Sequence, residues 1–524
     1  MTRGLRPESF SARNSPWLTK CLNLRATSEG LKQYYSLNQP ITDNYITSTL
    51  GETKAWPFPQ LFHGKSVTLL CFNDAVYTVD EDTYLCTLVD TKSIIDGTSA
   101  AITSGKDWHF VDLYGSWMLF NGSCVVFKTG WSSTVYVQSS VTINTGVAHK
   151  EARVLLGGFD PTNFYARADW QTFWTNLAGD MPAPMDNMTQ TAPGKNWIWW
   201  SSFMAPDLLW LFFKDALNYQ SYDASPDTGI TSDRPFAFDL FERNEAGMRP
   251  MPWRKKVLGM LPLGDGVCVY GVNGIRYLNP YSLQGVHTYG VQNFIGLPDA
   301  LGVYEGTYTR TPFAGGIDRQ IFVEPSGELW QLTPDLHAER LGYKEHLSTL
   351  DINKTIITHD SLYNEFYIAD GTKCYHLSKT GLAQCPTMPT KIYPLKSGNI
   401  GTIKFSTGSS AAQVETQKMV TPSGELETLT RVRVVGLNSA SNGWTLTINY
   451  RTKPTEDFYA TGTLTLDAVG EWIGALPVLE YQIQLNATTA SGVTCEDVEV
   501  EFDTECYGGS TLKLNASAPS AATE

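Results

Sequence analysis

Charged residues are scarce in this 524-residue sequence: Asp, Glu, Lys and Arg together make up only 18%, and the formal net charge is −14. Binding nucleic acid across a whole surface requires a basic footprint, so this composition excludes a protein that holds DNA or RNA in that way. It does not exclude a channel that lets DNA pass without holding it. A low share of charge also fits a subunit that buries surface against neighbours in a large assembly.

Motifs that carry catalytic or metal chemistry are also missing. The nine cysteines form no CxxC pair and no zinc-type cluster with histidine, so we expect reduced cysteines packed as small hydrophobes in an intracellular chain. The sequence contains no HExxH, no GxSxG nucleophile elbow, and no SxDxGxTW box of the kind that marks sialidase-like propellers. We therefore predict no enzyme activity, no catalytic or metal site, and no cofactor.

Long apolar runs are absent as well. The chain begins without the apolar region of a signal peptide. Its most apolar stretch, residues 197–213, is interrupted by Pro206 and Asp207, so it is not a clean membrane span. We expect two buried strands around a turn there, and no stable membrane insertion.

The stretch GDGVCVYGVNGIRYLNP, residues 264–280, is rich in glycine. A dinucleotide-binding GxGxxG read from its first two glycines requires a third glycine where Val269 stands. Two apolar segments flanking Asn-Gly are instead the strongest short-range signal of a β-hairpin. We predict paired strands at Val267–Tyr270 and Ile275–Leu278, with Asn273-Gly274 as the turn.

The same hairpin pattern recurs along the chain, in residues 68–79, 117–127, 320–332 and 365–377. The turns fall near 74, 122, 274, 327 and 371. Successive turns are about 50 residues apart, with the exception of the gap between 122 and 274, which is about three times as long. Two further hairpins, around Pro161 and Pro206, are expected in that gap. A four-stranded propeller blade takes ~40–50 residues, which predicts six or seven blades. A pair of β-sandwiches gives similar hairpins, but this spacing is long for sandwiches.

After residue 395 short strands alternate polar and apolar residues, which is typical of a sheet with one wet and one buried face. The first 60 residues show no clean period. The predicted fold class is therefore all-β. Its four predicted parts are an extended N-terminal arm (1–60), a β-propeller (61–395), a β-sandwich (396–510) and a flexible tail (511–524). The arm is expected to pack over the propeller or a neighbouring subunit, and about its first 15 residues are expected to be mobile.

One charge feature stands out: no Lys or Arg occurs between Lys453 and Lys513, a span rich in acids. An ordinary solvated sheet face is one interpretation. The other is a negative surface that repels DNA along a channel or docks a basic partner. The candidate residues for that surface are Glu471, Glu480, Glu496, Asp497, Glu499, Glu501, Asp503 and Glu505.

Three segments, residues 249–278, 310–332 and 364–378, resemble tail hub proteins of short-tailed bacteriophages, also called tail nozzle or packaged-DNA stabilisation proteins. The similarity is diffuse and covers most of residues 15–400. The TPFA stretch (311–314) and the LPLGDGVCVYGVNGI hairpin (261–275) carry most of it. The C-terminal sandwich matches least.

The resemblance implies a virion protein of the phage tail, made in the host cytoplasm. Such hubs form a ring, typically a homohexamer, below the portal and its adaptor protein. They extend the DNA channel, retain the packaged genome and anchor tail fibres, spikes or a needle; genomic DNA passes through without sequence-specific binding. The acidic C-terminal face is then expected to line or rim the lumen.

Two other functions remain open on the residues alone. A receptor- or glycan-binding propeller at the tail tip predicts a pocket lined by exposed Trp or Tyr. A propeller glycosidase or depolymerase predicts two carboxylates roughly 5–9.5 Å apart in one cavity. A structural hub predicts large intersubunit interfaces and neither pocket.

Overall fold

The computed structural model describes residue 5, residues 18–33 except 23 and 29, 56–158 with short gaps, 195–200, 247–308 except 284 and 285, 319–402 with short gaps, and 411–517 with short gaps. Across these ranges the chain folds almost entirely into β-strands, together with one short helix, α1 (Lys344–Leu347). The all-β class expected from the sequence is therefore confirmed.

The N-terminal segment supplies three strands, which are β1 (Leu18–Leu22), β2 (Leu24–Thr27) and β3 (Gly30–Gln33). Strands β2 and β3 form a hairpin. This segment was expected to be an extended arm. Its described residues are instead built into the sheets of the same chain, as set out below.

Six consecutive sheets follow, and each is a meander of antiparallel strands. The first three sheets contain β4 (Trp56–Pro59), β5 (Val67–Cys71), β6 (Val76–Asp80) and β7 (Cys86–Leu88); then β8 (Thr91–Ser93), β9 (His109–Leu113), β10 (Ser116–Phe120), β11 (Cys124–Lys128) and β12 (Val135–Ser139); then β13 (Thr145–His149), β14 (Arg153–Gly157), β15 (Trp197–Trp200) and β16 (Gly247–Pro250). In the second sheet β8 adds to β12 in the parallel sense.

The fourth to sixth sheets repeat the pattern. They contain β17 (Val257–Leu263), β18 (Gly266–Gly271), β19 (Gly274–Leu283) and β20 (Val286–Gln292); then β21 (Gln320–Val323), β22 (Leu329–Leu332) and β23 (Ala338–Gly342); then β24 (Ile356–Asp360), β25 (Glu365–Ala369), β26 (Cys374–Leu377) and β27 (Leu382–Gln384). The fifth sheet has three strands, and Tyr308 bridges to Phe322 on the open side of β21.

These six sheets are the blades of a β-propeller. Strands β9, β13 and β17 of the second, third and fourth sheets contact one another in turn, as the inner strands of neighbouring blades do. The ring closes through β28 (Ile392–Pro394), which pairs with β29 (Ile400–Thr402) and contacts both β4 and β24, the first strands of the first and sixth sheets.

The prediction of two extra hairpins between residues 122 and 274 was wrong for the described residues. Leu155 and Leu156, before Pro161, pair directly with Trp200 and Trp199, so both predicted segments belong to one sheet. Equal spacing assumes connections of equal length, and the connections inside this blade are long. The residues around Pro161 and Pro206 themselves lie outside the described ranges.

The predicted hairpin at 264–280 is confirmed, with Val267 opposite Leu278 and Tyr270 opposite Ile275. Its turn lies one residue earlier than expected, because Gly271 pairs with Gly274 and leaves Val272-Asn273 between them. Both glycines lie against the buried ring of Trp253: a Cβ added at Gly274 would come within 2.3 Å of it. Glycine at these two positions therefore leaves room for the Trp253 ring to pack against the hairpin.

Replacing Gly274 with alanine should destabilise the fourth blade by about 1–3 kcal/mol, because overpacking forces a buried ring to move. Gly462→Ala is the matched control, since a Cβ there meets nothing within 4 Å. Urea unfolding followed by Trp fluorescence measures both variants. Equal stability of the two would show that Trp253 moves without cost.

A two-layered sandwich follows the propeller, as predicted. One layer contains β30 (Ala412–Thr416), β31 (Met419–Val420), β33 (Trp444–Arg451), β34 (Tyr459–Ala460), β35 (Leu464–Thr465) and β37 (Glu480–Ala487); the other contains β32 (Glu427–Val435), β36 (Glu471–Val478), β38 (Asp497–Cys506) and β39 (Ser510–Ser517). Alternate residues of the two layers fill one core, where the rings of Tyr481 and Phe502 lie 5.3 Å apart.

Strand β1 joins the propeller to the sandwich. It pairs in parallel with β27 of the sixth blade, Leu22 opposite Gln384, and in antiparallel with β30 of the sandwich, Cys21 opposite Val414. One sheet therefore runs from the last blade through the N-terminal strand into the sandwich. Its apolar residues belong to one continuous core.

Three predicted boundaries change. The first blade begins with β4 at Trp56, inside the predicted arm. Leu5, in the stretch expected to be mobile, is buried and its N–H donates to the Leu382 carbonyl at 2.6 Å. Strand β39 pairs with β38 over residues 510–517, so the predicted tail does not begin at 511. Strands β4 and β39 pair with their sequence neighbours β5 and β38, whereas Leu5 is held by a distant strand that the local sequence does not report.

Candidate functional site

The outer face of the second sandwich layer carries part of the predicted acidic surface. Strand β38 and the part of β32 from Arg431 onward alternate, so Val432, Val434, Val498 and Val500 point into the core and the charged residues between them point out. Register places Arg433 between Glu471 and Glu499, and Arg431 opposite Glu501. We name this set, Arg431, Arg433, Glu471, Glu499 and Glu501, the charged ladder.

Ion pairs cross the ladder in both directions. Arg433 Nε lies 3.3 Å from Glu471 and its Nη1 lies 3.5 Å from Glu499. Arg431 pairs with Glu471 and, at 3.5 Å, with Glu501. Three carboxylates therefore share two guanidinium groups, and the face is mixed in charge. A uniformly negative surface, one of the two interpretations of the sequence, is therefore wrong for this group.

The remaining acidic residues of the predicted surface lie outside the charged ladder. Glu480 is buried in the other layer, where Arg451 donates to it at 2.7 Å. Glu496 and Asp497 begin the β38 region, and Asp497 Oδ1 accepts from the N–H of Val498. Asp503 follows the ladder along β38, opposite Lys513 in register, and Glu505 pairs with Thr511. The structure thus brings together Glu471, Glu499 and Glu501 and leaves Glu480 apart.

The two arginines were missed, although the sequence holds a signal for them. Arg431 and Arg433 have the same spacing as Glu499 and Glu501, two residues apart on alternating strands. Opposite charges at matching spacing favour cross-strand pairing. What the sequence does not give is that β32 lies between β36 and β38.

A second cluster lies where the N-terminal hairpin meets the sixth blade. The Arg25 guanidinium donates to both carboxylate oxygens of Glu365, at 2.7 Å from Nη2 to Oε1 and 3.1 Å from Nε to Oε2. Nε2 of His376 lies 2.8 Å from Glu365 Oε2. All three side chains are buried. We name Arg25, Glu365 and His376 the junction triad.

In this triad, burial and ion pairing shift the pKa values of Glu365 and His376 in opposite directions. Burial alone raises the pKa of Glu365, but His376 and Arg25 outweigh it, so the pKa of this carboxyl lies below its usual value. Burial lowers the pKa of His376, although Glu365 acts in the opposite direction. The carboxylate is therefore ionised at neutral pH, and it holds the N-terminal hairpin against the blade.

Both pKa values are lower in the folded protein than in the unfolded chain, so the triad stabilises fully at neutral pH and loses stability in acid. The loss should begin as pH falls below about 6.5, where an unfolded histidine takes up a proton, and continue below about 4.3 as Glu365 titrates. Thermal unfolding between pH 8 and pH 5 measures it. His376→Gln should flatten the first part of this dependence, whereas His337→Gln, at an exposed histidine, should not.

Side chains near the propeller centre bond one blade to the next. Thr145 of β13 lies 3.0 Å from Nδ1 of His109 on β9 and accepts from the N–H of Met260 on β17. Tyr270 donates to Gln320 at 2.7 Å, which joins the fourth blade to the fifth. These groups are buried, so in this region they connect blades and do not line an open pocket.

No group of three or more His, Cys, Asp and Glu side chains in the described part of the chain is placed to hold a metal ion. Among the same residues, no helix is long and apolar enough to span a membrane. The chemistry that the two charged clusters support is ion pairing, within the chain or with a partner.

Comparison with known proteins gives no family assignment: no family model matches, and no curated protein matches. Among solved structures, the chain is similar to PorZ, an essential bacterial surface component of the type-IX secretion system of Porphyromonas gingivalis. The identity is 10% and the TM-score 0.31, over 87% of this chain and 50% of that one. The chain thus spans about half the length of PorZ.

Two other similar structures are the β-propeller domain of Cps50 (Swd1) from Myceliophteria thermophila and apo AztD from Citrobacter koseri. Identities are 8% and 9%, and TM-scores 0.29 and 0.27. The matches cover 60% and 66% of this chain, and 96% and 97% of those chains. The chain is an all-β propeller protein with a C-terminal sandwich, and its own strand pairing establishes this.

Proposed function

We propose that this protein is a structural subunit of a short-tailed phage tail: a hub or nozzle ring that extends the DNA channel below the portal and its adaptor protein. In this role it retains the packaged genome and anchors fibres, spikes or a needle. Its place is the virion, after synthesis in the host cytoplasm. Its partners are copies of itself in a homohexamer, the neighbouring tail proteins, and DNA in transit.

The observation that carries the proposal is the continuous sheet from the sixth blade through β1 into the sandwich. A wall that resists the pressure of packaged DNA has to transmit force between domains without a hinge. Backbone pairing on both sides of β1, together with a shared core, supports that requirement. The segments that resemble tail hubs supply strands of the fourth, fifth and sixth blades.

Electron microscopy of the purified protein, with native mass spectrometry, tests the ring. We expect six-fold class averages and a particle six times the chain mass of 58.1 kDa. A stable monomer that cleaves a capsular polysaccharide would contradict the proposal and favour a depolymerase. A monomer that binds glycan without cleavage would favour a receptor-binding propeller.

We place the charged ladder at the lumen as part of this proposal. Glu499→Lys with Glu501→Lys should then make the ring retain double-stranded DNA, with a logarithmic salt slope of about −0.9 for each phosphate contacted. Glu339→Lys with Glu345→Lys makes the same charge change on the fifth blade and α1 as a control. Equal retention by both variants, or ring density with Glu499 on the outside, would contradict this placement.

A further inference from the structure

Four cysteines meet where the N-terminal strand, the sixth blade and the sandwich join. Cys21 lies in β1, Cys374 in β26, Cys385 directly after β27, and Cys495 opposite Leu31 of β3. All four are buried free thiols. Burial raises the pKa of Cys21, and its neighbours Cys495 and Cys385 raise it further.

Two of these thiols face each other directly. Tyr375 pairs with Gln384 in the antiparallel ladder of β26 and β27, so Cys374 and Cys385 are the next opposite pair. The N–H of Cys385 donates to the carbonyl of Cys374 at 2.8 Å. Opposite residues of an antiparallel pair share one face, and these two side chains lie in one buried cluster with Tyr367 and Ala369.

The backbone geometry suits a covalent bond. Hydrogen-bonded antiparallel pairs have Cα atoms about 5.5 Å apart. Disulfides form across Cα separations of about 4.4–6.8 Å, a range that includes this spacing, once the Cβ atoms approach to about 3.5–4.5 Å. Cys71 and Cys268 are also buried, but they sit in the first and fourth blades, away from this cluster.

We propose that Cys374 and Cys385 form a redox modification site, a dithiol that oxidises to a cross-strand disulfide. Two S–H bonds of the protein and the S–S bond of a small-molecule disulfide such as oxidised glutathione break, and one protein S–S bond forms. The two protons and two electrons pass to the small-molecule disulfide, which becomes two thiols. The thiols stay reduced in a reducing cytoplasm and close after the protein leaves it. Only this timing rests on the proposed function.

The bond would staple β26 to β27, the strand on which β1 adds. It would therefore fix the edge that receives the N-terminal segment. Closure is slow, because burial holds the pKa of Cys374 well above its usual value and little thiolate is available to react.

The test uses the full-length native protein. It is incubated with oxidised glutathione, its free thiols are blocked, and it is digested with trypsin, which cuts after Lys373, Lys379 and Lys391. We expect one dominant linked species that joins peptide 374–379 to peptide 380–391 and has lost two hydrogens. The link should be absent when reduced glutathione is used instead.

Cys385→Ala should abolish this species, and Cys71→Ala should retain it. Recovery of both peptides with blocked thiols, or a dominant link between other cysteines, would overturn the proposal. If Cys385→Ala does not fold, the map of the unaltered protein decides alone. The result is independent of ring formation, since a monomer that forms the link refutes only the hub.

Discussion

Arg25→Met should destabilise the junction of the N-terminal hairpin and the sixth blade by about 3–5 kcal/mol, because it leaves a buried carboxylate without its cation. Arg25 and Glu365 are 6% and 7% exposed, so water cannot replace the lost partner. His376 remains beside Glu365, but burial disfavours its charged form. Amide hydrogen exchange of residues 18–33 and 365–377 measures the loss, because the junction can open while other blades stay folded.

Two comparison variants separate charge from packing. Arg25→Met with Glu365→Leu removes the uncompensated carboxylate, and it should recover much of the loss. Lys354→Ala removes an exposed ion pair with Asp351 and should cost no more than about 1 kcal/mol. If Arg25→Met and Lys354→Ala cost the same, the triad does not hold the hairpin.

Tyr308→Ala should cost about 3–5 kcal/mol in the free energy of unfolding of the propeller, as truncation of a buried aromatic ring does. Tyr308 is fully buried, and its ring stacks on that of Tyr270 at 4.6 Å and on that of His109 at 6.5 Å. It also fills the space above Gly259, where an added Cβ would lie 2.4 Å from the ring. Its removal opens a cavity shared by three blades.

The matched control is Tyr304→Ala, four residues earlier and 44% exposed, which should stay within about 0.5 kcal/mol of the unaltered protein. Tyr308→Phe keeps the ring and should retain most of the stability. Urea unfolding with near-ultraviolet circular dichroism follows the aromatic packing directly. A loss for Tyr304→Ala equal to that for Tyr308→Ala would show that the blades do not depend on this ring.

Much of the propeller could be predicted because its signals are local. At 68–79, 117–127, 320–332 and 365–377 a strand, a turn and a second strand lie within a dozen residues, and the structure pairs the strands as expected. The third blade was misjudged because its paired strands β14 and β15 are separated by residues 158–196. No local pattern reports pairing across such a distance.

The charged surface shows the same limit. Alternation in β38 identifies which carboxylates point outward, and the sequence predicted them. Their neighbours across the sheet come from β32, about 70 residues away, and these neighbours change a negative surface into a mixed ladder. The junction triad was missed entirely, since 340 residues separate Arg25 from Glu365.

The sequence by itself determined the all-β class, the hairpin unit and its repeat, and the inward and outward faces of the sandwich strands. These depend on period-two patterning and on turn residues, which act within a few positions. The tertiary structure alone decided the six blades, the incorporation of β1 between propeller and sandwich, and the partners of the buried charges in the junction triad. Those features depend on which distant strands meet, and that choice minimises the exposed apolar surface and unpaired charge of the whole chain.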